Sequence, residues 1–440
     1  VLTVGRKGCD VVEPKQSRHT ARPPMITIPE LLAPAGNWKN LDAALDAGAD
    51  AIYFGVRGFN MRAAAKNFTA RDLQRIVERC QARKVRAYLT LNVVVFEREI
   101  SRLERLLKAA KAADVDGVIC ADFAVLSLAR QIGLDVHAST QMSVANSASI
   151  TFLYGLGVRR FVLARECSLA DIRKIKATLR KTLGSKADDV MIEAFGHGAM
   201  CVSMSGRCFL SNFEGGKSAN RGACSQQCRR EYRIVEEREG QEWILGKDYI
   251  LSPKDLCTLP FLEKLIAAGV DSLKIEGRNR GPEYVSTVVG AYRRALDFYA
   301  ENRGKRGWEK RFADLKKELL VGVERVYHRG FSSGFYCGKP IGQWHIGPQN
   351  ASSMKKRFVG IVVNYYQQHS VAEIAVQDEP FALGDEIFIE GNTTGFLRQK
   401  VASLQIESQA VSVAPKGGHV ALHVAEPVRR GDKLYVMRPK

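Results

Sequence analysis

Four stretches of this 440-residue chain repeat one pattern. A helical segment ends on a small residue or glycine, a short apolar run follows, and a polar residue stands at its tip. The copies are DAGADAIYFG (46–55), KAADVDGVICAD (111–122), YGLGVRRFVLARE (154–166) and AAGVDSLKIEGR (267–278). A glycine that leaves a helix in the left-handed region, followed by a run apolar on both faces, is the pattern of a buried parallel strand after a helix. ELLAPAG, VRAYLTLN, LDVHAST and DVMIEAFGH add four more strand candidates between residues 30 and 197. Eight alternations of strand and helix predict the α/β class and a (β/α)8 TIM-type barrel. A doubly wound open sheet is the alternative, but no GxGxxG follows the first strand.

The strand tips of such a barrel form its working face. Here they carry Asn92, Asp122, Gln141, Arg165 with Glu166, His197, and Glu276 with Arg278. Amide and ionisable groups converging from several strands make a pocket. An insertion at about 198–268 follows the seventh strand directly, far longer than the usual barrel loop, and loops of such length are usually functional. The expected organisation is a basic, disordered extension over 1–24, the barrel over 25–302, a basic connection over 303–355, and a small all-β barrel domain over 356–440. The last rests on period-two runs such as VAEIAV and DEIFIEG, separated by turns at Leu383-Gly384-Asp385 and Arg430-Gly431-Asp432.

The net charge is +19, and residues 301–357 alone carry 13 Lys/Arg against 5 Asp/Glu, a net of +8. Such an excess suits a polyanion, nucleic acid first, or a solvated surface. No apolar run approaches the ~20 residues of a membrane span, and the first 24 residues lack a signal-peptide core. The expectation is a cytoplasmic protein without a membrane partner, whose ten cysteines stay reduced.

Cys80, Cys120 and Cys167 sit in apolar segments and read as core residues. Four others, Cys201, Cys208, Cys224 and Cys228, fall inside the insertion with the spacing C-x6-C-x15-C-x3-C. Only the last pair has the closeness of a zinc knuckle, so the soft ligand set suits an iron–sulfur cluster or zinc. Cys257, in SPKDLC, is an alternative fourth ligand.

The stretch EAFGHGAMCVSMSGRCFLS (193–211) resembles the signature of the U32 family, long described as peptidases or collagenases. ELLAPAGNW, GADAIYFG, NRGACSQQCRREY and IEGRNRGPEYV are similar to family sequence as well. The nearest resemblance is to the branch of prephenate-dependent tRNA uridine(34) hydroxylases. That likeness implies a [4Fe-4S] cluster on Cys201, Cys208, Cys224 and Cys228, and conversion of wobble uridine (U34) to 5-hydroxyuridine. It further implies prephenate as the small-molecule hydroxyl donor, and the tRNA anticodon arm as partner; it names no electron-transfer partner. Arg165, His197 and Arg278 are then candidates to hold a dicarboxylate or phosphate, which needs paired cations, with Glu276 and Gln141 beside them. The older peptidase label is the alternative, together with a metal-stabilised RNA-binding scaffold. Against proteolysis, the chain has no HExxH helix.

Overall fold

The computed structural model describes residues 28–62, 67–230, 233–235, 237–238, 242–244, 248–346 and 350–440. The proposed extension over 1–24 lies outside them. Strands β1 (Glu30–Ala35), β2 (Ala51–Phe54), β3 (Arg86–Leu91), β4 (Gly117–Cys120), β5 (Val136–Ala138), β6 (Arg160–Val162), β7 (Met191–Gly198) and β8 (Ser272–Ile275) pair in parallel in that order. β8 returns to β1 through Glu30↔Ser272 and joins β7 through Ser272↔Glu193, so the barrel is closed.

Helices follow the strands where caps allow: Asn37, Asp122 and Asn146 each accept a backbone N–H of the first turn that follows. Their apolar stripes cover the outer face of the strands, which is why Leu31, Ile52, Leu89, Val118, Phe161 and Leu273 are fully buried. Gly269 leaves its helix at φ +90°, as the repeat requires; in the second copy Asp114, at φ +58°, takes that place and Gly117 begins the strand. Cys80, Cys120 and Cys167 are buried core residues.

The stretch expected as a basic connection holds a helix, Trp308–Glu324. Its charges obscure an apolar face at helical spacing: Phe312 stacks on Phe298 at 5.5 Å, and Phe312, Leu319 and Val323 are buried against the preceding helix, Pro282–Asn302. Farther on, Phe331–Ser332 pairs with the strand Asp255–Cys257, which itself lies antiparallel on β7. Residues 328–346 thus belong to the barrel's insertion side.

The C-terminal region is an eight-stranded antiparallel sheet built on the long strand Met354–Tyr366, with Val359, Ile374, Phe381, Ile389, Leu422 and Val436 inside it. Ion pairs Lys39–Glu390 and Lys356–Glu283 fasten it to the barrel's flank. Among the described residues no helix is long and apolar enough to cross a membrane.

Candidate active site at the barrel mouth

The barrel's two ends are filled differently. At the floor, Arg160 is almost fully buried and spends its donors on Glu193 (2.6 Å), Glu30, Ser272 Oγ (2.6 Å) and Tyr88 Oη (3.2 Å). Lys274 adds a second contact to Glu193 at 2.8 Å. Burial pushes both carboxyls up, but Arg160 for Glu30, and Lys274 with Arg160 for Glu193, hold them below the usual range.

At the mouth, three arginines meet one carboxylate. Arg278, just past β8, crosses the opening and donates to Thr90 Oγ1 at the end of β3 (2.8 Å). It passes Gly55, where a Cβ would stand 2.5 Å from its guanidinium, so a side chain there would push it aside. Arg62, in the loop after β2, pairs with Glu276 at 3.0 Å. Arg165, past β6, lies over the Phe195 ring at 4.3 Å, and its buried Nε has no hydrogen-bond partner among the described residues. Burial pushes Glu276 up, yet Arg62, Arg165 and Arg278 together hold it low, hence ionised. Burial and the nearby Arg62 bring Arg278 down to about 10, still a cation at neutral pH.

The insertion roofs this opening and is latched to three rims. Arg221 donates to Glu99 (2.6 and 2.7 Å) and to Val94 O, both beyond β3. Arg207 donates to the carbonyl of Gln141 beyond β5. Glu166, beyond β6, accepts from the N–H and the hydroxyl of Ser205 at 2.8 and 2.9 Å. Underneath, Arg229 is buried against Ser252, Pro253 O and Met200 O.

The four clustered cysteines lie in this roof. Burial pushes the Cys228 thiol up, Arg229 pulls it down, and Cys201, Cys224 and Cys208 push it up again, so all four share one neighbourhood. The sulfurs of Cys208 and Cys224 each accept the N–H two residues on, from Leu210 (3.3 Å) and Gln226 (3.4 Å). Among the described residues no three His, Cys, Asp or Glu side chains are close enough to hold a single metal ion. Glu276 above all raises the Arg62 guanidinium, and Cys201 is close enough to Arg62 to act on it as well, which links roof to mouth.

Three expected site residues take other places. His197 is turned out of the barrel: the β7–β8 register slips between Lys274↔Phe195 and Ile275↔His197, leaving Gly196 as an extra residue. Glu193 and Phe195 therefore face inward, whereas His197 packs among Tyr292, Tyr284 and Phe331, and burial with His328 nearby pushes it down to about 3. Gln141 contributes its backbone carbonyl to the latch. Cys257 is 2% exposed in the core beside Tyr292, where burial pushes its thiol up to about 12, so it is not gathered with the other four. Of the remaining tips, Asp122 caps a helix and Asn92 supports the backbone of Met61. Arg62 escaped the sequence reading because it sits in an irregular loop whose only signal is its position after a strand tip.

The profile of "Peptidase family U32" matches residues 36–346. A "Collagenase" of Porphyromonas gingivalis is 40% identical over 409 residues, 92% of this chain and 97% of that protein. A "tRNA hydroxylation protein P1" of Bacillus subtilis is 35% identical over 365 residues, 82% of each chain. The "23S rRNA 5-hydroxycytidine C2501 synthase" of Escherichia coli is 34% identical over 371 residues, 83% of this chain and 53% of the relative. With that span and those identities, the chain belongs to peptidase family U32, near its RNA-hydroxylating members.

Proposed function

We propose that this protein is an RNA hydroxylase that converts wobble uridine U34 of tRNA to 5-hydroxyuridine. The observation that carries the reading is the mouth itself: Arg62, Arg165 and Arg278 against Glu276 alone, under a roof of four cysteines. Three arginines around one carboxylate offer the paired cations that a small dicarboxylate such as prephenate needs. The unpartnered Nε of Arg165 is a donor ready for one of its carboxylates. Replacing C5–H by C5–OH removes two electrons from the base, so the molecule that supplies the oxygen must accept them.

Cys201, Cys208, Cys224 and Cys228 would hold a [4Fe-4S] cluster, whose chemistry is one-electron transfer. The ligand set fits in kind, being four thiols with N–H donors aimed at two of them. A single zinc, at about 2.3 Å from each sulfur, needs sulfurs nearly in contact, whereas a cluster places its own irons and sulfides between them. The chain's own groups do the rest. Arg62 fixes the Glu276 carboxylate at the opening, where it can accept the C5 proton, and the latched roof keeps water out. Basic surface holds the RNA by its phosphates, and an anticodon loop already exposes its bases.

The peptidase reading loses its most natural pair, since His197 faces away from the mouth and cannot serve Cys201 as a base. A merely structural metal loop leaves the three mouth arginines without a role. The test is nucleoside mass spectrometry of tRNA from cells with and without the gene, grown without oxygen. Loss of 5-hydroxyuridine, reproduced by Cys201→Ala, is the expected result; an unchanged profile would overturn the reading.

A further inference from the structure

Of the five exposed phenylalanines among the described residues, all but Phe152, which lies within the helix Ser147–Gly155, gather at one end of this molecule. Phe213 is 90% exposed, Phe209 64%, Phe123 60% and Phe96 44%. Each follows the C-terminal end of a barrel strand: Phe96 after β3, Phe123 after β4, Phe209 and Phe213 in the insertion after β7. The segments are tied together. Val95 N–H donates to Asp122 at 2.8 Å, and Arg221 of the insertion bonds Val94 O and Glu99. The insertion's short helix is in turn held by the Ser225 N–H on Ser211 Oγ, at 3.0 Å.

Cations stand among the rings. Arg98 and Arg221 each lie 5.0 Å from the centre of Phe96, and residues 197–230 carry five Lys/Arg against one Asp/Glu, a net of +4. Rings so exposed contribute little to the core, and aromatic surface rimmed by charge marks a binding face. Unpaired nucleotides answer both features, since every base has a π-face and every linkage a phosphate. We propose that Phe96, Phe123, Phe209 and Phe213 form a stacking platform for the unpaired nucleotides that flank the base entering the mouth. This inference rests on the reading of the substrate as RNA.

The test is binding of the full-length protein to a fluorescent stem-loop RNA and to a blunt duplex of equal length, across a salt series. Phe213→Ala and Phe123→Ala should each weaken stem-loop binding roughly 5- to 150-fold, the worth of one stacked base. Duplex binding and the salt slope should stay as they were, because no phosphate contact is lost. Phe213→Trp should keep stem-loop affinity, which a folding defect would not explain. Stem-loop affinity unchanged in both alanine variants would overturn the platform and leave the patch to a protein partner. A wild-type protein that binds neither RNA would instead overturn the RNA reading itself.

Discussion

The floor and the mouth of the barrel are built from the same residue types and put to opposite use. At the floor, Glu30 and Glu193 are each paired, Glu30 with Arg160 and Arg86, Glu193 with Lys274 and Arg160. At the mouth, three arginines share Glu276, and Arg165 Nε is left without an acceptor among the described residues. Buried charge that is fully paired is scaffolding; buried charge that is one-sided is waiting for a ligand. The contrast separates stability from chemistry along one barrel axis.

Breaking the floor should have the largest effect on folding. Arg160→Met takes the shared cation from buried Glu30 and Glu193, leaving only Arg86 on the one and Lys274 on the other, and should cost about 3–5 kcal/mol in urea unfolding. Arg278→Ala should do the reverse. Removing one of several like charges should change stability little, while RNA hydroxylation should fall roughly 10²- to 10³-fold, as when a preorganised charge contact is lost. If Arg278→Ala unfolds the protein and Arg160→Met does not, the contrast between the two ends is wrong.

A smaller effect is expected at the latch. Ser205→Ala removes a hydroxyl donor from Glu166 and should cost about 1 kcal/mol, read as faster amide exchange confined to residues 201–208. The smallest effect on activity is expected at His197. Its folded pKa, near 3, lies below the unfolded value of 6.5, so between those pH values the unfolded chain binds the extra proton. Stability therefore falls as pH drops from 6.5 toward 3. His197→Phe should flatten part of that slope and leave hydroxylation within about twofold, since the ring takes no part at the mouth. A large loss of activity would return His197 to the site.

The barrel was legible because its signals are local. Helix exits and runs such as AIYF and GVIC declare themselves within ten residues. So was the cysteine group, since spacing and the length of the insertion are both countable. The mouth was legible in part: Arg165, Glu276 and Arg278 stand at strand tips, but Arg62 comes from a loop without a pattern. His197 stands at a strand tip in the sequence, but the one-residue bulge at Gly196, which nothing local marks, turns it out of the barrel. The latches join residues 39 to 127 positions apart, beyond any local signal. The helix Trp308–Glu324 was concealed by its own charge.

Since β7 pairs with β8 directly, through Glu193↔Ser272 to Phe195↔Lys274, the wall closes without help from the long excursion between them. The cysteine-bearing first part of the excursion is fastened by polar clasps, whereas its last part, from Asp255–Cys257 through the helix Leu262–Ala268, is packed into the barrel, so loosening the clasps leaves the wall intact.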